Sequence, residues 1–241
     1  MIMNCIDIRT NLEKIKNSIT DVERLSGRET GSVKLLAVSK FHPVESVIDA
    51  IKAGQVMFGE NRVQEAFSKF EEIYKTYPKT ELHIIGTLQK NKVGHAVKIC
   101  SCIESVDRLD LIQEIEKYCL SNNKTIRILF EYHTGEDSKS GFTSYESLEE
   151  AVAYCAEGKS PHVIPSGFMT MAPFTKDEKV IHTSFSSMRK TAEKICQEFP
   201  QFSMENLSMG MSEDYRIAIE EGATEVRIGT AIFGEREYPA S

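Results

Sequence analysis

The chain has 241 residues, long enough for one (β/α)8 barrel, which runs to about 250 residues, or for two small domains. Its hydrophobic share of 41% and charged share of 27% are those of an ordinary folded domain and exclude a disordered chain. The net charge is -7 and no run of like charges forms a basic arm or an acidic tail, so no nucleic-acid partner is expected.

The opening MIMNCIDIRTNLEK meets Asp7 and Arg9 before a secretory apolar core can form, and no stretch approaches the roughly 18 apolar residues of a membrane span. Neither a signal peptide nor a membrane partner is expected. Cys5, Cys100, Cys102, Cys119, Cys155 and Cys196 form no C-x-x-C pair, and Cys100-Ser101-Cys102 is too tight for the usual zinc spacing. They read as reduced, mostly buried thiols of a cytoplasmic protein.

Ile8, Leu12, Ile15, Ile19, Val22 and Leu25 recur three and four apart, which predicts a first helix, ended by Gly27. Strand-like runs follow at VKLLAVS (33–39), VMFGE (56–60), ELHIIGT (81–87), CIESV (102–106), IRILFEYH (126–133), VIPSGFMTM (163–171), NLSMG (206–210) and EVRIG (225–229). Between them lie amphipathic stretches such as VESVIDAIKAG, RVQEAFSKFEEIYK, RLDLIQEIEKYCL, SLEEAVAYCAEG and DEKVIHTSFSSMRKTAEKICQEF. This alternation predicts βαβ units around a parallel sheet. About eight strands, with no Pro-, Gly- or Ser-rich linker, predict one TIM barrel spanning 1–241 as a single domain and preceded by an N-terminal helix. An open doubly wound sheet binding a dinucleotide would carry G-x-G-x-x-G after an early strand, and the sequence has none.

In such a barrel the strand C-terminal ends form the functional face, and phosphate sites are frequently built after strands 7 and 8. Ser208-Met209-Gly210-Met211-Ser212 ends predicted strand 7, with Ser212 placed to cap a helix opened by Glu213-Asp214-Tyr215-Arg216. Arg227-Ile228-Gly229-Thr230 ends strand 8. Free N–H groups at a helix start, glycines and the hydroxyls of Ser212 and Thr230 suit an anionic phosphate. Lys40 follows the aliphatic run Leu35 to Val38 at the same mouth; it is either a snorkelling lysine or an amine whose desolvation lowers its pKa and makes it a Schiff-base nucleophile. Asn61 after strand 2 is a turn residue or a ring contact, and Arg227 points either inward or to a helix carboxylate. The six histidines form no i, i+4 pair, so no metal is expected, and no G-x-S-x-G nucleophile elbow is present.

The segments AVSK, FGENRVQEA, HIIGTLQKNKV, SVDRLDL, DSKSGF, GFMTMAP and LSMGMSEDYRIAIEEGATEVRIGTAIFGEREY, together covering about Val33 to Tyr238, resemble the pyridoxal phosphate homeostasis proteins, small single-barrel relatives of the alanine racemase N-terminal domain. The resemblance implies that Lys40 forms a Schiff base with pyridoxal 5'-phosphate (PLP). It also implies that Ser212, Gly229 and Thr230 hold the phosphate, that Asn61 lies near the ring and that Arg227 faces the pyridine nitrogen; Met209, in the same segment, counts among the cofactor-binding positions. Two departures from the family pattern stand out: Thr87 where a proline is usual, and Phe130-Glu131-Tyr132-His133 in place of a Gln/Asn-bearing strand.

Racemisation of an amino acid would need a second acid/base group opposite the lysine. In racemases of this barrel class a C-terminal β-domain helps complete the site across a dimer, and no such domain is expected in a sequence ending about a dozen residues after strand 8. A permanently charged arginine beside the ring nitrogen also weakens PLP as an electron sink. The expectation is therefore a monomeric PLP carrier serving intracellular B6 balance, in transient contact with PLP-dependent apo-enzymes. An amino-acid racemase and an aldolase-like barrel using Lys40 without PLP are the alternatives.

Overall fold

The structure, a computed structural model, describes residues 7–135 and 140–235. Cys5, residues 136–139 within the DSKSGF region and the end of the final motif beyond Glu235 lie outside the described residues.

Helix α1 (Ile8–Leu25) buries Ile8, Leu12, Ile19 and Val22, the three-and-four spacing of its sequence made into one face. The Asp7 carboxylate caps it by accepting from Thr10 N at 3.0 Å. Gly27, at φ +69°, follows the Ser26 cap and turns the chain away.

The chain then alternates β1 (Lys34–Val38), α2 (Val44–Lys52), β2 (Met57–Glu60), α3 (Val63–Thr76), β3 (Glu81–Ile84), α4 (Val93–Ile99), β4 (Cys102–Val106) and α5 (Leu109–Ser121). It continues through β5 (Ile126–Glu131), α6 (Tyr145–Ala156), β6 (Val163–Met169), α7 (Glu178–Glu198), β7 (Asn206–Ser208), α8 (Tyr215–Glu220), β8 (Glu225–Ile228) and α9 (Thr230–Phe233). The strands pair in parallel in chain order and β8 closes onto β1, so the sheet is a TIM barrel. An open sheet would leave β1 and β8 without that pairing.

The strand alternation divides the interior in two. Leu35, Ala37, Phe58, Ile84, Ile128, Phe130, Phe168, Val226 and Ile228 face outward into the main core beneath the helices. Cys102, Leu129 and Met169 form a small apolar cluster of their own within the barrel. Much of the remaining lumen is polar, since His83, Glu104, Ser208, Glu225 and Arg227 are all buried on strands.

Two helices escaped the sequence reading. Helix α4 has only seven residues, behind a 3-10 turn at Lys90–Lys92, and α9 has four; both are too short for a periodicity to register. The shortness of α9 gives α1 its place: α1 packs against α2, α8 and α9. Asn11 Nδ2 donates to Ile232 O at 3.0 Å and Ser18 Oγ lies 2.9 Å from the Tyr215 hydroxyl. The N-terminal helix thereby covers barrel surface that a four-residue helix leaves open. Cys100, Cys102, Cys119 and Cys155 are buried free thiols and Cys196 is partly exposed.

Candidate functional site

Lys40 is partly buried and lies two residues past the end of β1, at the C-terminal mouth. The alternation that faces Leu35 and Ala37 outward carries it to the inward side. Asn61, also partly buried, follows β2 at the same end. Gly59, two residues before it, lies against Leu36 and Ile85.

The turn containing Lys40 is stitched to the end of β8 at two points. A Cβ on Gly229 would lie 3.0 Å from Val38 O and 3.4 Å from Val38 Cβ, so glycine is what lets the β8 end sit directly on β1. His42, two residues beyond Lys40, stacks on Phe233 of α9 at a ring separation of 5.1 Å. Gly229 precedes α9, whose first N–H groups lack partners within the helix, and Thr230, its first residue, is exposed.

At the end of β7 the structure corrects one expectation. Ser212 does not cap a helix: α8 begins at Tyr215 behind Asp214. Residues 211–214 form a turn first, with Tyr215 N donating to Met211 O at 2.8 Å and Met211 N donating to Asp214 Oδ1 at 2.6 Å. The carboxylate closes that turn more strongly than a serine hydroxyl would, which leaves Ser212 partly buried within the loop. Met209 is likewise not a wall of the mouth. Its side chain is fully buried in the main core and its N–H goes to Glu225 O at 3.1 Å, because residues after Ser208 alternate outward.

Gly210, between them, has φ +94°, and a Cβ there would meet Ala218 Cβ at 2.5 Å and Tyr215 Cα at 2.9 Å. Gly210→Ala is therefore expected to destabilise the fold by more than about 1 kcal/mol, the strain adding to the clash. Chemical denaturation measures this; an unchanged midpoint would contradict the tight β7–α8 approach.

Arg227 points inward. It is buried, Nη1 donates to Ser208 O at 2.6 Å and Ser208 Oγ at 2.8 Å, and Nη2 donates to Thr170 O at 2.8 Å. Beneath it runs a chain of polar groups that sequence reading missed. Ser208 Oγ donates to Glu104 Oε2 at 2.6 Å, and Glu104 Oε1 lies 2.6 Å from His83 Nδ1. Glu225 Oε1 lies 3.1 Å from Ser208 Oγ and 3.9 Å from His83 Nδ1.

Burial alone would push the His83 imidazolium down, but the hydrogen bond to Glu104 and the Glu81 carboxylate 3.9 Å from Nε2 overcome it and raise its pKa to about 9. Burial opposes ionisation of Glu104 too, and His83 outweighs it, holding that carboxyl below the usual carboxylate range. Glu225 goes the other way: burial, reinforced by the charge on Glu104, pushes its carboxyl up. The single Ser208 proton goes to the nearer carboxylate, so Glu225 as a neutral acid fits the geometry. The ligand atoms of His83, Glu104 and Glu225 lie within 4.8 Å of one another, a gathering from three strands that no i, i+4 rule could reveal. With Glu225 neutral, the His83 imidazolium offsets the Glu104 carboxylate, and the Arg227 guanidinium adds one positive charge beside them.

The atypical strand-five residues divide between the two faces. Phe130 packs outward against Phe142 and Phe168, with ring separations of 6.2 and 6.1 Å, and Tyr132 packs against the same core. Glu131 is buried opposite Met169 and accepts from Ser140 Oγ at 2.5 Å. Thr87 is exposed beyond β3.

A closed barrel with an amine after its first strand and glycine-bearing loops after its last two is the class represented by the alanine racemase N-terminal domain, and residues 10–237 match that family's model, "Alanine racemase, N-terminal domain". Curated relatives narrow this. The pyridoxal phosphate homeostasis protein of Vibrio alginolyticus is 38% identical over 96% of this chain and 98% of its own length, and that of Aquifex aeolicus is 36% identical over 94% and 97%. Among solved structures, PipY of Synechococcus elongatus PCC7942 with PLP bound is 32% identical with a TM-score of 0.79, over 90% of this chain and all of that one (100%). The chain belongs to the pyridoxal phosphate homeostasis protein family. The alanine racemase of Clostridium difficile 630, at 16% identity and a TM-score of 0.74, shares the fold, and this chain spans 57% of it.

Proposed function

We propose that the chain binds pyridoxal 5'-phosphate at the C-terminal mouth, linked to Lys40 as a Schiff base, and acts in PLP homeostasis as a carrier. The observation that carries this reading is the double stitching of the Lys40 turn to the β8 end, at Val38–Gly229 and His42–Phe233. It brings an amine and the start of a helix to one place, and an aldehyde bearing a phosphate asks for that pair. The residues fit the group: Gly229 carries no side chain where the chain enters α9, exposed Thr230 opens that helix at the mouth, and a buried guanidinium lies in the floor.

When bound, PLP supplies an aldehyde that an amine can capture reversibly. Lys40 provides that amine. Ser212, Gly229 and Thr230 hold the phosphate through hydroxyl and N–H groups, Asn61 lies beside the ring, and Arg227 faces its nitrogen. Arg227 is a guanidinium committed to three protein acceptors, so it offers no proton to the ring and does not promote carbanion chemistry. That supports holding and releasing the cofactor over racemisation. Apo-enzymes that need PLP are the recipients in this reading, and the protein acts as a monomer in the cytoplasm. Among the described residues, no helix is long and apolar enough to cross a membrane.

The test is a visible absorption spectrum of the protein and of Lys40→Ala, each with added PLP, before and after borohydride. Wild type is expected to show a visible band that borohydride abolishes while fixing the cofactor covalently, and Lys40→Ala to show neither change. No uptake of PLP by wild type would overturn the reading and favour direct Schiff-base chemistry on another carbonyl compound. Racemisation of an amino acid at ordinary enzyme rates would sink the carrier role.

A further inference from the structure

Both chain neighbours of Lys40 are fastened from outside the barrel. Ser39 Oγ donates to Glu60 Oε1 at 2.7 Å, Ser39 O accepts from Lys69 Nζ at 2.9 Å, and Ser39 N donates to Gly59 O at 3.1 Å. On the other side Phe41 N donates to Glu65 Oε1 at 2.8 Å. Lys69 joins the two halves, its Nζ lying 2.7 Å from Glu60 Oε1 and 3.5 Å from Glu65 Oε1. Glu60 is 0% and Lys69 5% exposed, between the sheet and α3.

A buried ammonium with two carboxylates is a poor way to add stability, because desolvating the charges offsets most of their attraction; such groups are better suited to fixing one conformation. Here the conformation is unusual. Phe41 has φ +66°, and among the described residues only Asn123 shares a positive φ without being glycine. A bulky aromatic residue holds that geometry only where its surroundings impose it. The bonds to Ser39 and Phe41 impose it here, from the helix side, on either side of the one residue that the alternation turns inward.

We propose that Lys69, acting with Glu60 and Glu65, is a positioning residue that holds the Lys40 turn ready for the aldehyde of PLP. This rests on the reading of Lys40 as the PLP-binding amine. In the step it serves, the neutral Lys40 Nζ adds to the aldehyde carbon, a C=N bond replaces the C=O bond, and the carbonyl oxygen leaves as water. No electrons are exchanged, and hydrolysis reverses the step. Lys69 touches none of the reacting atoms. Its contribution is to limit the conformations from which Lys40 must be recruited, so that less ordering accompanies capture.

Pyridoxine 5'-phosphate, which has the same ring and phosphate but no aldehyde, separates positioning from general damage. Glu65→Ala removes the acceptor for Phe41 N–H at a partly exposed side chain. It is expected to weaken PLP binding about tenfold while pyridoxine 5'-phosphate binding stays within about twofold. Glu65→Gln keeps an acceptor and is expected to restore most of the PLP affinity; Lys69→Met is expected to follow Glu65→Ala. Should Glu65→Ala fail to fold by circular dichroism, Phe41→Gly, which adopts φ +66° without strain and frees the turn, carries the same comparison. Parallel loss of both ligands, or loss of neither, overturns the proposal. Equal PLP affinity in wild type and Lys40→Ala would instead overturn the reading beneath it, and the two failures are distinguishable.

Discussion

Replacing Arg227 with leucine is expected to remove about 3–5 kcal/mol of folding stability, the range found when one partner of a buried charged network is deleted. The guanidinium makes three buried hydrogen bonds, to Ser208 O, Ser208 Oγ and Thr170 O, and so ties β8 to the β7 and β6 ends. Leucine leaves all three acceptors without that donor inside the barrel, and removes a positive charge that helps hold the Glu104 carboxyl ionised. Arg227→Lys keeps the charge but not the planar fork, and is expected to fall between the two. Urea unfolding of the ligand-free proteins measures this, and the thermal midpoint of Arg227→Leu should drop by roughly 10 °C. A leucine variant within about 1 kcal/mol of wild type would mean that water enters the floor and satisfies those groups.

The second large effect is a loss of stability with rising pH that Glu225→Gln reduces. Glu225 has its pKa raised above the ordinary 4.5, so its contribution is complete below that value and is lost as pH rises through the elevated one. His83, raised from 6.5 to about 9, contributes fully below 6.5 and loses its contribution through about 9. Glu104, lowered from 4.5, acts oppositely: its contribution is present above 4.5 and lost toward strong acid. The three together place the network's greatest contribution near about pH 5, with a decline through alkaline pH in which the folded state holds more protons than the unfolded chain. For His83 the change amounts to about 3 kcal/mol. In Glu225→Gln an amide stands permanently where the neutral acid stood, so the remaining alkaline decline belongs to His83 and starts later. Thermal unfolding across this pH range tests both statements. A wild type equally stable at both ends, or a variant with an unaltered slope, would contradict the assignment of the extra protons to His83 and Glu225.

The barrel was legible because its signals are local. Each strand is a short apolar run bounded by turn residues, as in Leu35 to Val38 before Lys40, and each long helix repeats its apolar positions every three or four residues. Lys40, Gly229 and Thr230 stood out for the same reason, as polar or flexible residues set at the ends of such runs. At the β7 end local reading misfired: Ser212 has the right type and spacing for a helix cap, but Asp214 competes with it through a charged acceptor two residues later and moves the helix start. Met209 sits amid a loop motif, yet the alternation after Ser208 turns it into the core.

Chain-local chemistry sufficed for the strands, the longer helices, their order, the amine at the first strand end and the family resemblance. Only the closed sheet decided how distant residues meet. Pairing β8 to β1 sets Arg227 level with Leu36 and turns it into the lumen; in the sequence it could equally have faced a helix. His83, Glu104 and Glu225 come from three separate strands and share protons only because those strands curl around one axis. Lys69 reads as one more charged residue of an amphipathic helix until α3 lays it beneath the Lys40 turn. Periodicity records which face of an element is buried, whereas the partners found there depend on register and closure, and these arise from contacts between residues far apart along the chain.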